Sequence, residues 1–101
     1  MMSILPENPT QEWESSFPHT QWEAAVYRLG NLTLLAPSDN RRVGNAPYHE
    51  KRAVYSQSAY TLTRQIPDMA PEEWTPALLE RRQQEMARKA VEIWRIDAAG
   101  D

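Results

Sequence analysis

Eight prolines divide this chain of 101 residues into short segments, and the longest uninterrupted segment follows the last of them. Proline has no backbone N–H and clashes inside a helix, so helices are expected to begin or end near it. Pro67 and Pro71 break one helical segment. Thr75 and Pro76 then open the longest predicted helix, with Thr as N-cap and Pro at the first helical position. The sequence therefore predicts one small domain of short elements with a long closing helix.

The first half of the chain predicts a helix and a strand. Thr20, with Glu23 three residues later, forms a capping box for a helix that Gly30 would end in the left-handed conformation. The apolar residues 32–35 predict a short strand, and residues 37–40 have the composition of a turn. Residues 3–6 are expected to be the tail of a second strand.

The segments between these elements have their own signals. Residues 7–19 predict an irregular loop pinned to the core by Trp13 and Phe17. An Asn45 cap predicts a helix from about Tyr48 to Tyr55 or Ser56. Ser58 is expected to cap a further short helix that ends at Ile66. Apolar residues spaced three, four and seven apart predict the buried face of the last helix. They are Leu79, Met86, Ala90, Ile93 and Trp94.

Composition excludes several kinds of protein. There is no cysteine, which rules out a disulfide framework, a cysteine-ligated zinc site and a thiol nucleophile. No apolar run approaches the ~20 residues that a membrane helix needs. Residues 1–3 show no secretion signal, so the cytoplasm is the expected location. We expect a domain over residues 1–96 and a frayed tail over 97–101.

The net charge of −3 conceals a basic middle third. Residues 1–39 have a net charge of −4 and residues 68–101 one of −3, whereas residues 40–67 carry five basic groups and one acidic group. Such a segment can face phosphates even in an acidic protein, although these side chains are equally explained as an ordinary solvated surface. The basic residues are Arg41, Arg42, Lys51, Arg52 and Arg64.

Residues 30–35, Gly-Asn-Leu-Thr-Leu-Leu, are the most informative stretch when read together with Asn40, Asn45 and Lys51. Taken alone, each asparagine is explained by a local backbone hydrogen bond or a turn. Their combined spacing resembles the rear half of an HNH, or His-Me finger, nuclease motif. Further short motifs in order make roughly residues 2–95 similar to the C-terminal domain of GmrSD-type restriction endonucleases. These motifs lie at residues 4–9, 13, 27–35, 40, 44–47, 50–52, 55, 58, 62–64 and 93–94.

This resemblance implies metal-dependent hydrolysis of DNA phosphodiesters, with one Mg²⁺ or Mn²⁺ ion and a histidine as general base. It gives Asn31 a structural role in orienting that histidine and puts Asn40 at or near the metal. We expect the two amides to flank one cation pocket. Lys51 would hold a phosphate as a point charge, and the implied partners are DNA and a ParB-like region. The residues expected to contact DNA are Arg41, Arg42, Asn45, Lys51, Arg52 and Arg64.

The chain departs from the family pattern where the base should be. Aligning Ile4 to Pro6 with the family's Ile-x-Pro puts Ser3 at the histidine position and Met2 at the preceding acidic residue. A serine hydroxyl is too weak a base at neutral pH, and a thioether is a poor ligand for a hard cation. His19 and His49 are weaker candidates for the base. A late gene start, a truncated remnant and a split protein whose ParB-like region lies on another chain all stay open as explanations.

The sequence thus predicts a mostly helical α+β domain with a short β-hairpin packed by helices, like a His-Me finger that lacks the front of its first strand. The first functional hypothesis is a DNA endonuclease domain of restriction or phage-defence type, inactive or crippled as this chain. The second is a non-catalytic remnant that binds DNA or a protein through residues 40–64.

Overall fold

The computed structural model describes the backbone of residues 2–100 and the side chains of residues 2–92. The expectations for Ile93, Trp94 and the tail 97–101 lie outside the described side chains. Within the described part, five α-helices and one small antiparallel sheet confirm a mostly helical α+β fold. No described helix is long and apolar enough to span a membrane.

The sheet consists of β1 (Met2–Ser3) and β2 (Leu32–Thr33). Met2 pairs with Thr33, and Ser3 pairs with Leu32. The connection between the strands contains 3₁₀ turns at Gln11–Ser15, His19–Gln21 and Leu29–Asn31 as well as a helix. The predicted hairpin is therefore a pair of short strands joined by a long, structured connection.

Several helix boundaries differ from the prediction because local signals compete with packing. The helix expected to run from Thr20 toward Leu29 is a single turn, and no side chain caps it. Residues 37–40, predicted as a turn, begin a helix with Pro37 in its first turn. The fourth helix continues through Pro67 rather than ending before it. The helices are α1 (Trp22–Ala25), α2 (Pro37–Val43), α3 (Tyr48–Tyr55), α4 (Thr61–Met69) and α5 (Pro76–Gly100).

Two predicted helix starts can be compared with their caps. The hydroxyl of Thr75 accepts a hydrogen bond from the Leu78 amide at 3.3 Å, which confirms the predicted start of α5. Asn45 does not cap α3, whose N-cap is Pro47 without a side-chain hydrogen bond. The boundaries predicted for α3 are nevertheless confirmed. Pro47, just before the helix, presets the backbone conformation with which the chain enters it.

The core lies between the start of the chain, the loop after it and the helices. Trp13 and Phe17 are buried, as predicted for the residues that pin the loop. The ring of Tyr48 stacks on Trp74 with centroids 6.4 Å apart and meets Trp13 edge-on at 6.5 Å. These large rings provide much of the apolar area that a domain of this size can bury.

The long helix α5 docks onto the turn that precedes β2 through polar contacts that the apolar pattern did not predict. On its predicted apolar face Leu79 is buried, but Ala90 is exposed. Arg82 is buried instead and donates to the carbonyls of Gly30 at 2.9 Å and Leu32 at 2.6 Å.

Gly30 does not adopt the left-handed conformation that the sequence predicted, since Gly44 is the one described residue with positive φ. Gly30 instead lets the backbone of α5 approach closely, because it has no side chain. Its amide donates to Oε1 of Gln83 at 2.6 Å. A Cβ at Gly30 would lie 2.5 Å from the Leu79 carbonyl oxygen and 2.8 Å from the Gln83 amide nitrogen.

Gly30→Ala is therefore expected to destabilise the fold by about 2–3 kcal/mol, because backbone atoms of α5 cannot move aside without undocking the helix. Chemical denaturation followed by far-UV circular dichroism measures this free energy. Ala87→Gly, on an exposed part of α5, is the control and should cost only about 1 kcal/mol. Equal losses in the two variants would show that the contact between Gly30 and α5 is not tight.

Candidate functional site

An open cleft of about 320 Å³ lies where β1 meets the loop after it and the end of α2. It gathers Ser3, Asn40 and Asn45, three of the residues that the sequence singled out for the site. The full lining consists of Met2, Ser3, Pro6, Glu7, Asn8, Asn40, Gly44 and Asn45.

Local backbone structure explains how residues so far apart in sequence meet here. Asn40 lies in the middle of α2, and its carbonyl accepts the Gly44 amide at 2.9 Å as the helix ends. Gly44 has φ +43°, a conformation that side-chain-bearing residues rarely adopt, and it turns the chain back toward the cleft. The Asn45 side chain then donates to the Asn8 carbonyl at 3.3 Å, which closes one side.

The cleft is rich in amides and poor in charge. Its lining contains three asparagines but one ionisable side chain, Glu7, which the sequence analysis did not select. Glu7 lies within the family motif at residues 4–9, but nothing in the sequence marked it as a site residue, because only the fold brings the loop after β1 against α2. Neutral amides both donate and accept hydrogen bonds, so the cleft is suited to polar recognition more than to binding a bare ion.

A divalent cation fits this cleft poorly. Hard cations in proteins are bound by one or two carboxylates together with further oxygen ligands, often from substrate phosphates. Here Glu7 is the one carboxylate in the lining, and residues 2–92 contain no group of three His, Cys, Asp or Glu side chains suited to a metal. The side chains of the cleft therefore do not form a complete site for Mg²⁺ or Mn²⁺.

Asn31 lies beneath β1 and does not line the cleft, so the two predicted amides do not flank one pocket. It is fully buried, and its side chain makes four hydrogen bonds. Oδ1 accepts the amide of Leu5 at 2.8 Å and the indole N–H of Trp74 at 3.0 Å. Nδ2 donates to the carbonyls of Leu5 at 2.9 Å and Val26 at 3.0 Å. Asn31 thus fixes the chain leaving β1, two residues beyond Ser3.

Lys51 is buried on the core side of the same segment. A phosphate contact would require its ammonium to face solvent, which it does not. Its ammonium donates to the carbonyls of Ser3 at 3.0 Å and Ile4 at 2.9 Å. It also lies 5.8 Å from the centre of the Trp13 ring. Burial in the core lowers the pKa of Lys51 from 10.5 to about 7, because the charged form loses its hydration.

The arginines selected by the sequence divide into two groups. Arg41 and Arg42 are exposed on α2, beside Asn40, and Arg42 is 3.3 Å from Asp39. Arg64 is also exposed, although it donates to the Ser58 carbonyl at 2.8 Å. Arg52 is half-buried and donates to the carbonyl of Pro71. Arg41 and Arg42 are thus the exposed cations on the helix that lines the cleft.

Neither histidine lines the cleft. His19 is exposed and bonds Glu14 through Nδ1 at 2.7 Å, which lowers the pKa of that carboxyl group. His49 is exposed on α3 and lines a different hollow with Glu72 and Glu73. Neither weaker candidate therefore belongs to the lining of the cleft.

The lowered pKa of Lys51 makes stability depend on pH. Between about pH 7 and the unfolded value near 10.4 the unfolded chain binds more protons than the folded one, so stability rises with pH in this window. The slope is expected to approach ~1.4 kcal/mol per pH unit. Urea denaturation at pH 7 and at pH 9.5 measures it.

Lys51→Met is expected to abolish most of this slope, whereas Lys89→Met, on the exposed surface of α5, leaves it unchanged. Tyr48 and Tyr55 do not confound the result below pH 10, because burial raises the pKa of Tyr48 to about 12 and that of Tyr55 above its usual value. Their neutral forms are favoured by the fold, so their contribution is lost only as the pH rises past their unfolded value. The same slope in both variants would show that Lys51 titrates normally.

One family of known proteins matches most of the chain. The model of the family described as GmrSD restriction endonucleases, C-terminal domain, matches residues 4–89. No curated protein and no solved structure gives a significant match. The matched span contains most of the cleft lining together with Asn31 and Lys51. Because the match covers most of the chain, this protein belongs to the family of GmrSD restriction endonuclease C-terminal domains.

Proposed function

We propose that this domain is the DNA-binding part of a restriction-type endonuclease, and that the cleft at Ser3, Asn40 and Asn45 is where a DNA strand lies. The chain alone does not hydrolyse DNA in this proposal, since the cleft has no imidazole to serve as the general base. The observation that supports it best is that Asn40 and Asn45, which come from separate motifs of the family pattern, line one cleft together with Ser3, the position expected for the histidine. A restriction role also places the protein in the cytoplasm.

The side chains that line the cleft are the reason for proposing that it lacks a general base. Hydrolysis of a phosphodiester needs a group that accepts a proton from water near neutral pH, and a neutral imidazole is the usual one. Ser3 stands where the family resemblance puts this imidazole, and a hydroxyl does not accept a proton at this pH. Glu7 is the one side chain in the lining that is able to act as a weak base.

The metal that the family resemblance implies would need oxygens from DNA. Asn40 and Glu7 are the side chains that would contribute ligands, and phosphate oxygens would have to complete the shell. When bound, such an ion would stabilise charge on the scissile phosphate. In this proposal Asn40 and Asn45 bind and orient the strand, and Arg41 and Arg42 attract it.

Cleavage of supercoiled plasmid in Mg²⁺ or Mn²⁺ tests the absence of a base. The unaltered chain is expected to give no nicking above the protein-free background, and Met2→Glu with Ser3→His is expected to restore partial activity. Met2 is buried in the core, so a carboxyl group at position 2 needs a hydrogen-bond partner, and the Tyr55 hydroxyl, now 3.7 Å from the sulfur of Met2, is able to donate to it. Adding Asn40→Ala to this variant should abolish the restored activity.

The contrary result is equally specific. Robust cutting by the unaltered chain that Asn40→Ala abolishes would contradict the missing base, and loss of that activity in Glu7→Gln would identify Glu7 as the base. Circular dichroism of each variant ensures that inactivity is not unfolding.

DNA binding is tested separately, because the alternative function is a non-catalytic remnant that binds DNA or a protein. Affinity for a short duplex is expected to fall as salt rises, since each neutralised phosphate releases counterions. Arg41→Ala with Arg42→Ala should weaken binding and reduce the slope of log K against log salt by about 2, roughly one for each phosphate that is no longer neutralised. Fluorescence anisotropy between about 50 and about 200 mM salt measures this slope.

The matched control is Arg81→Ala with Arg88→Ala on α5, where Arg81 lies 3.5 Å from Glu85. This pair is expected to leave both affinity and slope unchanged. Binding that is absent, or that does not respond to salt, would reject the DNA interface and leave a protein partner. A ParB-like region on another chain is the partner that the family resemblance suggests.

A further inference from the structure

The backbone of residues 3–5 is fixed from two sides where it passes the cleft. Lys51 donates to the carbonyls of Ser3 and Ile4. On the other side, the Asn31 carbonyl accepts the Ile4 amide at 2.7 Å, and the Asn31 side chain bonds both backbone groups of Leu5. Two polar residues therefore determine the path of three consecutive peptide groups.

Lys51 is an unusual residue to use for this purpose. It has 0% of its surface exposed, and among the described residues no carboxylate forms an ion pair with it. Burying an ammonium without an acidic partner is unfavourable, and an apolar side chain of similar length is often as stable or more stable at such a position. Stability alone does not explain why the chain places a lysine here.

We propose that Lys51 is a positioning residue that holds the peptide group of residue 3 so that its side chain enters the cleft in a fixed orientation. This proposal rests on the proposed function for the meaning of position 3, which is where the family pattern puts the base. The contacts that support it are specific to this position. Lys51 donates to the carbonyls of residues 3 and 4, and Asn31 accepts hydrogen bonds from the amides of residues 4 and 5.

A positioning role and a purely structural role predict different results for Lys51→Met. If Lys51 only stabilises the fold, its removal lowers the melting temperature and raises amide exchange throughout the core. If it positions residue 3, its removal relieves the desolvation of a buried charge and frees the backbone at residues 3–5 alone. Overall stability and local order then change in opposite directions.

Thermal unfolding and amide hydrogen exchange by NMR at pH 7 distinguish these cases. In Lys51→Met we expect an unchanged or higher melting temperature and at least tenfold faster exchange at the Ile4 and Leu5 amides. The Leu79 amide, in the first turn of α5, should keep its rate. Lys89→Met is the matched control and should alter neither quantity. Unchanged exchange at Ile4 and Leu5, or a lower melting temperature with faster exchange throughout, overturns the proposal.

Lys51→Gln is the second variant if Lys51→Met does not fold. Its shorter amide retains donors but cannot reach both carbonyls as the ammonium does, so the same local increase in exchange is expected. If neither variant folds, Lys51 has a structural role and the positioning role is overturned.

The same substitution in the Met2→Glu, Ser3→His variant separates this proposal from the proposed function. If that variant cleaves DNA, adding Lys51→Met is expected to lower kcat about tenfold with KM unchanged, whereas a change in KM alone contradicts positioning. If it does not cleave, the proposed function loses its support, and the exchange rates at Ile4 and Leu5 still decide the role of Lys51.

Discussion

The side chain of Asn31 is the contact on which the rest of the structure depends. A buried amide has two donor hydrogens and an acceptor oxygen, and leaving any of them unpaired costs about 1–3 kcal/mol. Here all are satisfied by groups from different parts of the chain: the segment after β1, the end of the α1 region and the indole of Trp74. The sheet has so few residues that it cannot hold these segments together. The hydrogen bonds of this amide connect them instead, as longer strands do in other folds.

The small size of the sheet also explains where the charged side chains lie. The ammonium of Lys51 and the guanidinium of Arg82 lie inside and donate to backbone carbonyls in and beside the two short strands. The cleft that faces solvent has a largely neutral lining. Buried cations therefore supply hydrogen bonds that a larger sheet would make through its backbone. Any electrostatic attraction of DNA phosphates must come from exposed arginines such as Arg41 and Arg42, because the lining itself is largely neutral.

Sequence reasoning succeeded where a signal was local. The limits of α3, the start of α5 and the burial of Trp13 follow from neighbouring residues, and the structure confirms them. It failed where the signal was tertiary. Gly30 was predicted to end a helix, but its missing side chain instead admits the backbone of α5. The burial of Arg82 was not predicted, because it depends on carbonyls 50 and 52 residues away in sequence.

The candidate site shows the same division. The family pattern identified Asn40 and Asn45 through ordered motifs that sequence comparison can detect, and it identified Ser3 as the position where the chain departs from the pattern. The fold brings all three residues to one cleft. The resemblance gave Asn31 a structural role in orienting the histidine and Lys51 a role in holding a phosphate, whereas the fold uses both to hold the backbone of residues 3–5. A residue type does not reveal which way its side chain turns, and for Lys51 that direction decides between a phosphate contact and a support of the backbone.

The hydrogen bonds that support the backbone at position 3 are complete, although the side chain at that position is a serine. Asn31 has every hydrogen bond satisfied, and Lys51 meets two successive carbonyls beside a position occupied by serine. A scaffold of this kind fixes geometry through the backbone, so it does not depend on the side chain at position 3. This independence explains how the fold accommodates a serine at that position. It is also why placing a histidine at that one position is a reasonable test of what the scaffold supports.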